Sequence, residues 1–269
     1  MNGTNIFPGA HDFVVSGTIN AARIINISNN FGDSAKSDAV MPLMPNPSTR
    51  FTGRTEIIAK LKEHFSATPN DGVQKRKYFL LHGMGGIGKT QICLKFIEDM
   101  SDHFSTVFWI DASSAGTILQ GLKGICLLPE AKSCLVDRSP ESALHWIGSL
   151  KENYAMVFDN ADSLSPPELE VYFPPGRRGN ILITSRNSSM QCLTSPENSL
   201  EVTEMEENEA ILLLLKASCL SSSSMDFKAE ASKIVKELFC LPLAVDQAGA
   251  FIASGASNIG DYLDRYLHH

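Results

Sequence analysis

Eight consecutive residues, Gly83 to Thr90 (GMGGIGKT), satisfy every fixed position of the pattern G-x-x-x-x-G-K-[ST]. These residue types suit phosphate. Glycines let the backbone wrap closely around phosphate oxygens and turn its N–H groups inward, in conformations that a Cβ obstructs. A helix starting at Lys89 adds the positive end of its dipole. Lys89 then reaches the β and γ phosphates, and the Thr90 hydroxyl is placed to ligate magnesium. The same stretch also satisfies G-x-G-x-x-G through Gly83, Gly85 and Gly88. Asp111, at the end of the next strand, stands where a dinucleotide-binding fold has its ribose-binding acid. That alternative gives Lys89 and Thr90 no role.

A second candidate group lies about seventy residues further on. Met156, Val157, Phe158 and Asp159 read as a buried apolar strand that delivers a carboxylate to the magnesium opposite Thr90, the Walker B arrangement. Asn160 follows, where a hydrolytic enzyme often has a second acid to orient water. An amide cannot act as a general base, so turnover is expected to be slow at best, with Asp162 the nearby substitute. Arg186 ends a further strand and is placed to meet the γ phosphate from the side, reporting whether ATP or ADP is bound. The plainer reading of Arg186 is a surface arginine in a loop.

The elements that position these residues can be read from periodicity. Ile57, Ile58, Leu61 and Phe65 recur at helical spacing over residues 55–65, and a strand over 78–81 runs directly into the glycine loop. A helix is expected over 90–100, with further helices over 117–127 and 140–151. Strands are expected over 107–110, 154–158 and 180–184, ending near Asp111, Asp159 and Ser185–Arg186. Strands alternating with helices predict a parallel sheet flanked by helices, with ligands at the carboxyl ends of the strands. After Leu200 the pattern is wholly helical, with segments over 206–219, 228–239 and 242–254, and Ser221 to Ser224 reads as a flexible joint. The division expected is a low-complexity arm and linker over 1–48, a nucleotide-binding domain over 49–203 and a helical subdomain over 204–269.

Composition narrows the classes further. The 269 residues are 43% hydrophobic, enough for a substantial core. A net charge of -7 argues against nonspecific nucleic-acid binding, and no apolar run approaches the ~20 residues that span a bilayer. The six cysteines show no metal-ligand or disulfide spacing and read as buried thiols in a reducing, cytoplasmic setting. Residues 1–48 are rich in Asn, Ser, Gly and Ala and end in the Pro-rich linker Met41 to Pro47. Within the arm, Phe13 to Phe31 carries β-branched residues at low charge, which suits intermolecular strand pairing; an arm that pairs with nothing in particular is the alternative.

Taken together the motifs resemble the NB-ARC domain of STAND nucleotide-binding switches, in the style of fungal NOD-like receptors. The resemblance covers about residues 49–267. It is carried by FTGR at 51–54, the glycine loop, VFWIDAS at 107–113, MVFDNAD at 156–162, ILITSR at 181–186 and CLPLA at 240–244. It implies contacts to ADP or ATP from Phe51, Arg54, Gly83, Gly85, Gly86, Ile87, Gly88, Lys89, Thr90, Gln91, Pro242 and Leu243. It implies Mg2+ at Thr90 and Asp159, and catalytic or sensing roles for Asp159, Asp162 and Arg186. Cys240 stands where the family usually has Gly, which bears on the turn before Pro242. The winged-helix subdomain with its MHD histidine and the sensor repeats of the family are not among these residues.

Three functions remain open at this level. The first is a switch for innate-immune type signalling, in which nucleotide exchange drives self-assembly and gathers the N-terminal arms. The second is a P-loop ATPase or kinase with true turnover. The third is a truncated fragment that does not signal.

Overall fold

The computed structural model describes residues 44–67, 75–132, 139–221 and 225–267. The arm segment Phe13 to Phe31, Cys134 and most of the Ser221 to Ser224 joint lie outside these residues. In chain order the elements are α1 (Thr55–Ser66), β1 (Lys77–His82), α2 (Lys89–Asp99), β2 (Thr106–Asp111), α3 (Ala115–Ile125), α4 (Pro129–Lys132), α5 (Pro140–Ser149), β3 (Tyr154–Asp159), α6 (Pro166–Glu170) and β4 (Asn180–Ser185). Two 3-10 turns (Ser188–Leu193 and Pro196–Asn198) lead into β5 (Ser199–Glu201), then α7 (Glu207–Ala217), α8 (Met225–Glu237), α9 (Pro242–Ala253) and α10 (Tyr262–Leu267).

The strands form one sheet in the order β2-β3-β4-β1-β5, and every pairing is parallel. Period-2 alternation divides its side chains between two cores. From β3, Tyr154, Met156 and Phe158 pack on one face, with Ile118, Leu122 and Ile147 of α3 and α5. Ala155 and Val157 pack on the other, with Leu61 and Phe65 of α1 and Ile92 and Phe96 of α2. Burial on both faces is why β3 and β4 read as continuous apolar runs. A third core joins Leu213, Leu214, Ile234, Val235, Val245 and Ile252 of α7, α8 and α9.

Several local signals explain the boundaries. Gly88 ends the glycine loop at φ 95 and caps α2, which starts at Lys89. Ser114 and Thr117 form a reciprocal capping box at the start of α3. Two expectations are corrected. The chain is not wholly helical after Leu200, because β5 runs through Glu201 and pairs with β1; three residues are too few for a periodic signal. Nor are all the thiols buried: Cys93 and Cys126 are, whereas Cys192 and Cys219 are exposed and Cys240 is half-buried.

Candidate functional site

β1 lies inside the sheet between β4 and β5, so the loop leaving its carboxyl end has a strand on either side. Gly83 has φ 140, and a Cβ there would lie 2.4 Å from the Val202 carbonyl oxygen, because β5 passes directly against the loop. Gly86 has φ 78, and a Cβ would press on Leu243 at 3.1 Å. The Lys89 ammonium crosses beneath the loop and donates to the carbonyls of Gly83 at 2.7 Å and Met84 at 3.0 Å. Burial pulls its pKa down, and Asp162 and Asp159 act against that pull.

Thr90 opens the first turn of α2 and meets the end of β3. Its hydroxyl donates to Asp159 Oδ1 at 2.9 Å, and the Thr184 hydroxyl of β4 donates to the same oxygen at 2.7 Å. Burial pushes the Asp159 carboxyl up, while the two threonine bonds hold it down. A half-buried carboxylate and hydroxyl that converge across the loop suit a hard divalent cation. Thr184, unremarked in the sequence, aims this carboxylate. Its signal was its place in ILITSR, one strand over from Asp159.

Arg186 leaves β4 and lies over the glycine loop, its guanidinium carbon 3.2 Å from where a Cβ on Gly85 would stand. Asp162 holds it there: Oδ2 is 2.7 Å from Arg186 Nε, and Oδ1 accepts from the Arg186 backbone N–H at 2.6 Å. Asp162 is therefore occupied as an arginine partner. Asn160 adopts the left-handed conformation at φ 66, which asparagine tolerates better than most residues, and its N–H donates to the Thr184 hydroxyl at 2.8 Å.

The far end of the site is closed by the helical core. The Leu243 N–H donates to the Gly86 carbonyl at 3.2 Å, and Pro242 occupies the first position of α9 beside Gly88. Arg54, left-handed at φ 60, sends its guanidinium to the backbone carbonyls of Ile87, Thr203 and Glu204. Burial lowers its pKa against the opposing pull of Glu209, Glu204 and Glu206. Gln91 accepts from the Ser48 N–H at 2.8 Å. Cys240 keeps the turn before Pro242 in the left-handed form at φ 50, with its N–H donating to the Val235 carbonyl at 2.8 Å.

Between these walls lies a cleft of about 420 Å3. Phe51, Arg54, Gly85, Gly86, Ile87, Gly88, Lys89, Thr90, Gln91, Arg186, Pro242 and Leu243 all line it, whereas Gly83, Asp159 and Asp162 stand behind its surface. Arg50, Met205, Leu213 and Asp246 line it too and carried no motif in the sequence. Gly83 and Gly86 in conformations that disfavour a Cβ, a buried lysine, an arginine over the loop and a Thr–Asp pair fit a Mg2+–nucleoside polyphosphate.

The dinucleotide alternative meets a topological obstacle. Asp111 ends β2, three strands from β1, which at ~4.8 Å per strand is ~14 Å away. It instead accepts from the Ser113 N–H at 2.9 Å. A ribose acid must end the strand beside the glycine loop.

The parallel sheet, the glycine loop at the carboxyl end of its inner strand β1 and the converging carboxylate define the P-loop class of nucleotide-binding folds. Within that class, the NB-ARC domain family matches residues 54–223, more than half of the chain, and the chain belongs to that family. A nucleotide-binding leucine-rich repeat (NLR)-like protein of Hyaloscypha variabilis is 28% identical over 263 residues, covering 91% of this chain and 25% of that protein. The chain thus spans about a quarter of that relative. Among solved structures, the ORC2 protein of Aeropyrum pernix in ADPNP–ADP complexes is similar in fold, with TM-score 0.55, 12% identity and coverage of 85% and 70% of the two chains. A STAND protein of Pyrococcus horikoshii with a tetratricopeptide repeat sensor aligns at TM-score 0.47 and 17% identity, over 78% of this chain and 31% of that one.

Proposed function

We propose that this chain is the ADP/ATP switch module of a NOD-like receptor type signalling protein, with a nucleotide-binding part over 49–203 and a helical part over 204–269. The observation that supports it is the shared cleft, because its walls come from both parts: the glycine loop and Arg186 on one side, Pro242 and Leu243 on the other. In this reading Lys89 and the loop N–H groups hold the β and γ phosphates, and Thr90 with Asp159 holds Mg2+. The metal neutralises phosphate charge when bound. Phe51, Ile87, Gln91, Pro242 and Leu243 enclose the base and sugar, with Arg54 fixing the wall behind them.

Switching follows from contacts that differ between the two nucleotides. Arg186 and Lys89 gain a partner when a γ phosphate is present, and Arg186 then divides its donors between that group and Asp162. The differential contact shifts α9 relative to the glycine loop, and opened chains associate into a homo-oligomer that brings the N-terminal arms together. With Asn160 in place of a second acid and Asp162 tied to Arg186, hydrolysis is slow. Cytoplasmic signalling in innate immunity is the setting this family reading suggests; among the described residues, no helix is long and apolar enough to cross a membrane.

The experiment is to purify the chain without added nucleotide and identify by mass and chromatography what it carries. Copurified ADP, lost in Lys89→Ala, is the expected result. An empty site and no Mg2+-dependent ADP or ATP binding would sink the proposal. Steady-state turnover of several per second, abolished by Asp159→Ala, would favour a true ATPase instead.

A further inference from the structure

Residues 48–54 belong to no helix or strand, yet they are stitched to both walls of the cleft. On the glycine-loop side, the Ser48 N–H donates to Gln91 Oε1 at 2.8 Å, and Arg54 reaches the Ile87 carbonyl at 3.2 Å. On the helical side, Lys216 Nζ donates to Thr52 Oγ1 at 3.0 Å, and the Arg54 N–H donates to Glu209 Oε1 at 3.1 Å. One more tie is ionic. Arg50 Nη2 donates to Asp246 Oδ2 at 2.9 Å, and Arg50 Nε lies 2.8 Å from Oδ1, joining the segment to α9 within the lining of the cleft. The two side chains are 42% and 31% exposed, so water and salt weaken this pair more than the backbone bonds beside it. One turn back along α9, the Leu243 N–H makes its bond to Gly86 and shuts the helical wall onto the glycine loop.

We propose that residues 48–54 are a strap that keeps the cleft shut, and that the Arg50–Asp246 pair is its clasp, setting how fast a bound nucleotide leaves. The proposal rests on the nucleotide reading above. In this reading α9 parts from the glycine loop when nucleotide leaves, and while the strap stays bonded to Gln91 and Ile87 that movement stretches or breaks the clasp. The strap is also where the chain arrives from its N-terminal side. Displacement of the residues before Ser48 therefore acts on nucleotide release through Arg50.

The test uses the full chain and two readouts: stopped-flow release of mant-ADP with Mg2+, and hydrogen exchange of the Leu243 amide without nucleotide. Asp246→Asn and Arg50→Gln are each expected to release mant-ADP about two- to five-fold faster, the range an exposed ion pair supports. Release should quicken with salt more steeply in the wild type than in these variants, which keep only the salt dependence of the phosphate contacts. The charge-swapped double variant, Arg50→Asp with Asp246→Arg, should restore slow release. Leu243 exchange should rise in both single variants. Wild-type release rates, wild-type salt dependence and unchanged Leu243 exchange in the single variants would overturn the strap. If the wild type binds no mant-ADP, the nucleotide reading falls, and with it the clasp's role in release; Leu243 exchange then decides by itself whether the strap closes the cleft.

Discussion

At the scale of single residues, the site holds groups at a cost to the stability of the empty fold. Asp159 is a carboxylate whose burial opposes its charge. Its pKa is raised above 3.8 in the folded state, so the folded protein holds its proton to higher pH than the unfolded chain does. Asp159 by itself therefore makes stability without nucleotide fall as pH rises through the window above about 4, whereas Asp99, whose pKa is lowered, acts the other way. Asp159→Asn should remove that contribution and leave the ligand-free protein more stable at neutral pH, while losing Mg2+-dependent nucleotide binding. Denaturant unfolding of both proteins from pH 4 to 8 checks the sign; an unchanged slope would disprove the assignment. Cys240 is a second case. It holds a left-handed turn at φ 50 that glycine adopts freely, and its side chain is only partly buried. Cys240→Gly should stabilise the fold by about 0.5–1 kcal/mol, less whatever packing the thiol contributes. A lower denaturation midpoint would show that the thiol's packing outweighs the strain.

At the scale of elements, close approach of helices makes the helical wall a rigid body. Gly249 of α9 faces α7 so closely that a Cβ would stand 2.3 Å from the Ala217 Cβ and 3.0 Å from the Leu214 carbonyl oxygen. Gly249→Ala should cost about 2 kcal/mol, since neither helix can retreat without opening the core of Leu214, Val235 and Val245. Thermal unfolding gives the loss directly. Because α9 also carries Pro242 and Leu243, the same variant should weaken ADP binding although residue 249 lines no part of the cleft. ADP affinity equal to the wild type would show that α9 keeps its seat on the glycine loop by other means.

For the whole molecule, the cleft is an interface between a sheet core and a helical core, so ligand and fold should stabilise each other. At a hundredfold excess of ADP over its dissociation constant, with Mg2+, linkage gives about 2.7 kcal/mol of added stability. Lys89→Ala should abolish that gain and leave the ligand-free melting temperature within a few degrees, because among the described residues the Lys89 ammonium donates to the loop carbonyls of Gly83 and Met84 and to no other element. A melting temperature unmoved by Mg2+–ADP in the wild type would count against coupling across the cleft.

Much of this molecule is legible in its residues because local rules act on contiguous segments. The glycine loop, the apolar strand ending at Asp159, the strand ending at Arg186 and the start of α9 at Pro242 each declare themselves through spacing, and β3 and β4 through burial on both faces. What those segments do to one another was not legible, because it depends on which strand lies beside which. Only the order β2-β3-β4-β1-β5 removes Asp111 from the glycine loop and sets Thr184 beside Asp159. Only the packed structure turns Asp162 toward Arg186 and brings Arg50 to Asp246 across 196 positions. Phosphate binding is written in short-range pattern, since it needs a backbone shape that a few residues specify. Closure and control belong to the tertiary structure, since they arise from contacts between groups that the chain itself keeps far apart.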